Sequence, residues 1–169
     1  MPTPLMLGNL VDMVEGFPAV DLQTGANNGD YVSLKNADRA AVVFISGLGT
    51  AGQDPTLTIE QATSNAGGGV KALNFTVIYR KQAATDLTGT AVWTRTTQTA
   101  ANTYTNATSA EESLIWWVEF DASELDVDNA FDHIRGTVAD IGGAAQPGYL
   151  FYLLKPKYPN LPANVMSAL

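Results

Sequence analysis

Hydrophobic and polar positions alternate with a period of two along much of the chain, the spacing of strands that turn one face to a core. The cleanest stretch is Thr56 to Ala62, where Leu57 and Ile59 fall on one side and Thr56, Thr58 and Glu60 on the other. The most apolar is Glu112 to Phe120: Leu114, Trp116, Val118 and Phe120 share a face, and Ile115 and Trp117 lie opposite. Trp116, on the wholly apolar side, is read as a core residue. Trp117 shares its side with Glu119 and is read as a contact residue. Strands are also predicted over Leu73 to Arg80, with Phe75, Val77 and Tyr79 on one face, and over Thr90 to Thr97, Phe131 to Val138 and Tyr149 to Leu154. Tyr31 to Leu34 alternates weakly. Ala40 to Ile45 is a continuous apolar run rich in β-branched residues, which predicts a strand buried on both faces. The Thr/Gln/Ala/Asn tract from Thr96 to Ser109 holds either a short strand around Tyr104 or an ordered polar loop.

Turn signals separate these runs. Asn27-Asn28-Gly29-Asp30, the glycine-rich stretch Gly47 to Pro55, Ser64 to Gly69, Gly142-Gly143 and Pro147-Gly148 all carry residues that tolerate turn geometry. Many short strands between such signals, with no interior helical period, predict an all-β chain, a β-sandwich of jelly-roll or immunoglobulin-like type. Its two ends break the pattern. Leu7, Leu10, Val11 and Val14 repeat at helical spacing before Gly16 and Pro18, which fits either a short amphipathic turn or an extended arm. Pro156, Pro159 and Pro162 keep the end of the chain out of any central sheet. The predicted organisation is an N-terminal arm over 1–28, a sandwich over 29–155 and a proline-rich tail over 156–169. Leu7, Leu10, Val11, Val14, Phe17, Trp117, Tyr158 and Leu161 are the residues expected to meet a partner.

Composition narrows the function. Across 169 residues there are 9 Lys plus Arg against 17 Asp plus Glu, a net charge of -8. An acidic chain lacks the basic face that phosphate neutralisation needs, so neither a nucleic acid nor an anionic membrane surface is an expected partner. The longest apolar run is too short for a membrane span, and the first residues lack the basic and apolar regions of a secretory signal. There is no cysteine, which removes disulfide scaffolds, zinc ribbons and thiol catalysis. The single histidine, His133, is expected at the surface or at an interface. No Gly-x-Ser-x-Gly elbow accompanies it, so an enzyme is not expected.

Three motifs carry less than they suggest. Gly47-Leu48-Gly49-Thr50-Ala51-Gly52 has a dinucleotide-binding spacing, but Pro55 and another strand follow where a helix N-terminus would have to meet the pyrophosphate. Asp126 to Asp132 alternates carboxylates as a calcium loop does. Phe131 and Thr137 stand where an EF-hand needs glycine and glutamate, leaving an irregular oxygen site or a plain acidic turn. Trp93, Trp117 and Tyr104 would make a stacking platform if the sandwich were a carbohydrate-binding module. No cofactor and no metal is expected.

Two stretches carry a resemblance. Asp21 to Asn36 leads into Gly47 to Ala62, and Leu125 to Arg135 precedes Tyr149 to Tyr158 with its Lys-Pro-Lys-Tyr-Pro ending. Together they resemble the head decoration, or capsid cement, proteins of tailed bacteriophages. The resemblance spans about two-thirds of the chain and implies an all-β protein bound to the outer surface of the virion capsid. Its implied partners are the major capsid protein and further copies of itself, with a trimer favoured. A neck or tail component of the virion is the nearest alternative.

Overall fold

The structure, a computed structural model, describes residues 7–84, 87 and 91–157. One helical turn, Leu7–Leu10, precedes twelve strands: β1 (Asp12–Asp21), β2 (Asn27–Asn28), β3 (Val32–Ser33), β4 (Ala37–Ser46), β5 (Thr56–Ala62), β6 (Lys71–Ala72), β7 (Phe75–Ala83), β8 (Thr94–Ala101), β9 (Thr103–Thr105), β10 (Ser113–Asp121), β11 (His133–Val138) and β12 (Pro147–Pro156). They form two antiparallel sheets packed as an all-β sandwich. The front sheet runs β1-β12-β4-β10-β7-β8; the back sheet runs β2-β11-β5-β6, with β3 also on β11 and β9 on β5. Apart from β2 with β3, β5 with β6 and β7 with β8, which stay in one sheet, successive strands cross from one sheet to the other, and β12 inserts between β1 and β4. An immunoglobulin-type sandwich keeps its first two strands together in one sheet. The order found here is that of a jelly roll.

Segment 12–28 is not an arm. β1 pairs with β12 from Asp12↔Leu154 to Asp21↔Pro147, so it is the edge strand of the front sheet. Register shifts between Glu15 and Phe17 and between Phe17 and Val20 break its alternation, which hides the strand from a period-two reading. Pro18 sits within this irregular stretch, where an edge strand tolerates a missing N–H. Phe17, expected at an interface, is 5% exposed and belongs to the core, and Val14 packs against it. A second irregularity lies between Phe75 and Val77. Phe75 and Ile78 turn inward there, while Val77 and Tyr79 stay outside, so the predicted common face of Phe75, Val77 and Tyr79 is split.

The core joins the sheets through aromatic contacts. Trp116 on β10 lies 5.6 Å from Phe44 on β4 and 4.8 Å, edge-on, from Tyr104 on β9 of the back sheet. β4 is buried on both faces, as its unbroken apolar run predicts. One polar link crosses the interior. The Gly136 N–H donates to the Tyr152 hydroxyl over 3.0 Å, and that hydroxyl donates to the Asp30 carbonyl over 2.9 Å. Glycine is required beside it: a Cβ on Gly136 would lie 2.7 Å from Leu150 Cδ1 and 2.9 Å from Val42 Cγ1.

Three carboxyls are tied to the loops. The Gln146 backbone N–H, together with Gln23, holds Asp21 below the ordinary carboxylate value of 3.8. Ser123 does the same for Asp121, and Lys71 with Asn129 for Asp126. Groups whose folded pKa is lowered bind fewer protons folded than unfolded, so their stabilisation is present above 3.8 and lost as pH falls through the lowered values. Urea midpoints are therefore expected to stay flat from pH 7 to pH 5 and to drop at pH 3, with Asp21→Asn flattening the acid limb. An unchanged midpoint at pH 3 would contradict these assignments.

Candidate functional site: the outer face of the front sheet

The two sandwich faces differ in chemistry. The outer face of the back sheet is polar: Thr56 and Thr105 hydroxyls meet at 2.6 Å, and Arg135 clasps Glu60 at 2.6 and 3.2 Å while stacking 4.5 Å over Tyr31. The ladders of the front sheet line up quite different rows on its outer face. One runs Glu15–Phe151–Val43–Trp117–Tyr79–Arg95 across all six strands. On one side of it runs Met13–Leu153–Ala41–Glu119, on the other Tyr149–Ile45–Ile115–Lys81. The centre is aliphatic and aromatic, and the charges stand at the ends.

This face has two zones. Over β1, β12 and β4 lies a depression of about 340 Å³ floored by Ala41 and walled by Leu10, Val11, Leu153 and Trp117, with Arg39, Glu119 and Lys155 at its rim. Met13 stands beside Leu153 and is 65% exposed. Asp12 pairs with Leu154, so the start of β1 and the end of β12 lie together at this corner. The second zone lies over β10, β7 and β8, where Tyr79, Trp93, Trp117 and Glu119 line a shallower hollow of about 270 Å³. Trp93 meets Trp117 edge-on at 6.4 Å, and the Trp117 Nε1–H donates to Glu119 Oε1 over 2.8 Å.

Of the residues expected at an interface, Leu10, Val11 and Trp117 come together here. Leu7 begins the helical turn, and nothing further is described of its side chain; Tyr158 and Leu161 lie outside the described residues. The expected platform is corrected at one member. Tyr104 is buried against Trp116 on the inner side, and Tyr79 stands beside Trp93 and Trp117 in its place. A three-residue strand in a threonine tract is too short for its alternation to reveal which face it buries.

The remaining candidate chemistry is structural. His133, expected at the surface or at an interface, is only 8% exposed. Its Nδ1 contacts the Asp132 carboxylate, which also pairs with Lys35 at 3.2 Å. Ser33 lies across the ladder from His133, but its hydroxyl accepts from the Lys35 N–H at 3.3 Å, and no hydrogen bond joins it to the imidazole among the described residues. In the acidic turn, Asp126 is engaged by the Lys71 ammonium and by the Asn129 amide, at 2.9 Å to each oxygen. Among the described residues no group of three or more metal-binding side chains converges. No family model matches the chain, and no curated protein and no solved structure matches it either.

Proposed function

We propose that this chain is a virion structural protein, a decoration protein that binds the outside of a phage head and stabilises the major capsid protein lattice, acting as a homotrimer. The observation that carries the reading is the one-sidedness of the sandwich. An apolar zone over β1, β12 and β4 adjoins the corner where β1 starts and β12 ends, while the opposite face is polar. A module that fixes itself to a shell by one side and meets solvent with the other has this distribution. The resemblance to head decoration proteins supports the same reading. So does the net charge of -8, which disfavours a place beside packaged DNA.

The mechanism is mechanical. Each copy adds buried interface between neighbouring capsomers, and several modest contacts in one trimer multiply through avidity. The test begins with purified virions split into heads and tails: high copy number on heads is expected, whereas a few copies at the neck or tail, or none on the particle, would overturn the reading. Met13→Glu sharpens it. Met13 is exposed, so the fold tolerates the change, but an unpaired carboxylate pressed into an apolar contact costs about 1–3 kcal/mol. Capsid binding is expected to weaken about tenfold or more, and wild-type occupancy by this variant would place the contact elsewhere.

A further inference from the structure

We infer that the hollow over β10, β7 and β8 is a binding site for a neutral pyranose sugar. Two large aromatic surfaces stand in water here: Trp93 is 50% exposed and Tyr79 38%. Trp93 stands against the edge of Trp117, which lies beside Tyr79 in the ladder, and the three rings converge on one depression. The axial C–H groups of a pyranose form an apolar, weakly positive patch that suits the negative face of an aromatic ring. At about 270 Å³ the hollow falls just below the ~300–1,000 Å³ of drug-sized pockets, which fits one or two sugar rings.

Charge decides the ligand class. Glu119 lines the hollow, its Oε1 fixed by the Trp117 indole and its Oε2 without a hydrogen bond among the described residues. Arg95 lies directly across from Tyr79 on the same face, beside the hollow rather than in its lining. The carboxylate repels an anion, and the guanidinium across the ladder from Tyr79 opposes the cation that the rings and the carboxylate would otherwise attract. A hydroxyl both donates and accepts, so a neutral polyol stacked on the rings can also pair with the carboxylate that lines the hollow. This site adjoins the apolar zone over β1, β12 and β4 and shares Trp117 and Glu119 with it, but Tyr79 and Trp93 belong to the hollow, and the inference does not depend on the capsid reading.

The test uses the isolated full-length protein. Methyl β-D-glucopyranoside, methyl α-D-mannopyranoside, cellobiose, maltose and chitobiose are titrated while tryptophan fluorescence and saturation transfer to sugar protons are followed, with tetramethylammonium in parallel. At least one sugar is expected to bind saturably. Trp93→Ala, an exposed position checked for folding by circular dichroism, is expected to weaken that binding at least tenfold. Glu119→Gln is expected to weaken it several-fold. Binding of tetramethylammonium in preference to every sugar would overturn the inference. So would sugar binding that survives Trp93→Ala, or no response to any of the five sugars. Virion fractionation reports separately on the capsid reading, so failure of one leaves the other standing.

Discussion

Trp116→Ala is expected to destabilise the fold by about 3–5 kcal/mol, the range for truncating a large buried aromatic to alanine. Trp116 is completely buried and touches both layers, with Phe44 on its own sheet and Tyr104 on the other. Its loss opens a cavity at the centre of the sandwich that neighbours on two hydrogen-bonded sheets cannot collapse to fill. Against a typical total of about 5–15 kcal/mol, that is a large share of the stability. Trp116→Phe separates volume from polarity. The indole Nε1–H has no hydrogen-bond partner, so phenylalanine removes an orphaned donor along with part of the ring. Its cost is expected to stay below about half that of alanine. Urea denaturation of the three proteins measures both, and a Trp116→Ala loss under about 1 kcal/mol would mean that this residue does not organise the core.

The second large effect is expected at Tyr152→Phe. The hydroxyl accepts from Gly136 on the back sheet and donates to the Asp30 carbonyl, while its own strand belongs to the front sheet. Removing one oxygen leaves the buried Gly136 N–H without its partner and takes a donor from the Asp30 carbonyl, a loss of about 1–3 kcal/mol. Burial, the main cause, also pushes the Tyr152 phenol well above its ordinary value of 10.0. A raised folded pKa means stabilisation that is present below 10.0 and lost as pH rises beyond it. The wild type is therefore expected to lose stability in alkali more steeply than Tyr152→Phe, a difference that a purely steric role for the ring would not produce. Parallel alkaline curves for the two proteins would refute burial of the phenol, and an unchanged urea midpoint at pH 7 for Tyr152→Phe would refute the interior hydrogen-bond role.

How much of this was legible depended on local regularity. β5 is found over the residues its alternation marked, because Leu57 and Ile59 face the core while the residues between them stay outward. The inner row of β10, Leu114 to Phe120, was equally readable. β1 was not. Two register shifts scramble its period, and Leu7, Leu10, Val11 and Val14 happen to fall at helical spacing across a turn and a strand. Phe17 was therefore misplaced at an interface. In the candidate sites, Trp117 could be read as outward from its own strand. That Trp93, Tyr79, Arg95 and Glu119 surround it is set by pairings between strands far apart in sequence, which no local pattern encodes.

The position of β12 has a consequence for how the chain acquires its fold. It fills the slot between β1 and β4, and it brings Leu150, Tyr152 and Leu154 to the core. Until residues 147–156 arrive, β1 has no neighbour in its sheet and β4 lacks one of its two. The pairing Asp12↔Leu154 closes a loop over nearly the whole described chain, and that entropy is lost before the contacts can repay it. Assembly of the front sheet is thus a late, nearly all-or-none event on the millisecond-to-second scale of high-contact-order β proteins. During synthesis the exposed edges of β1 and β4 have no native partner until the strand that separates them leaves the ribosome.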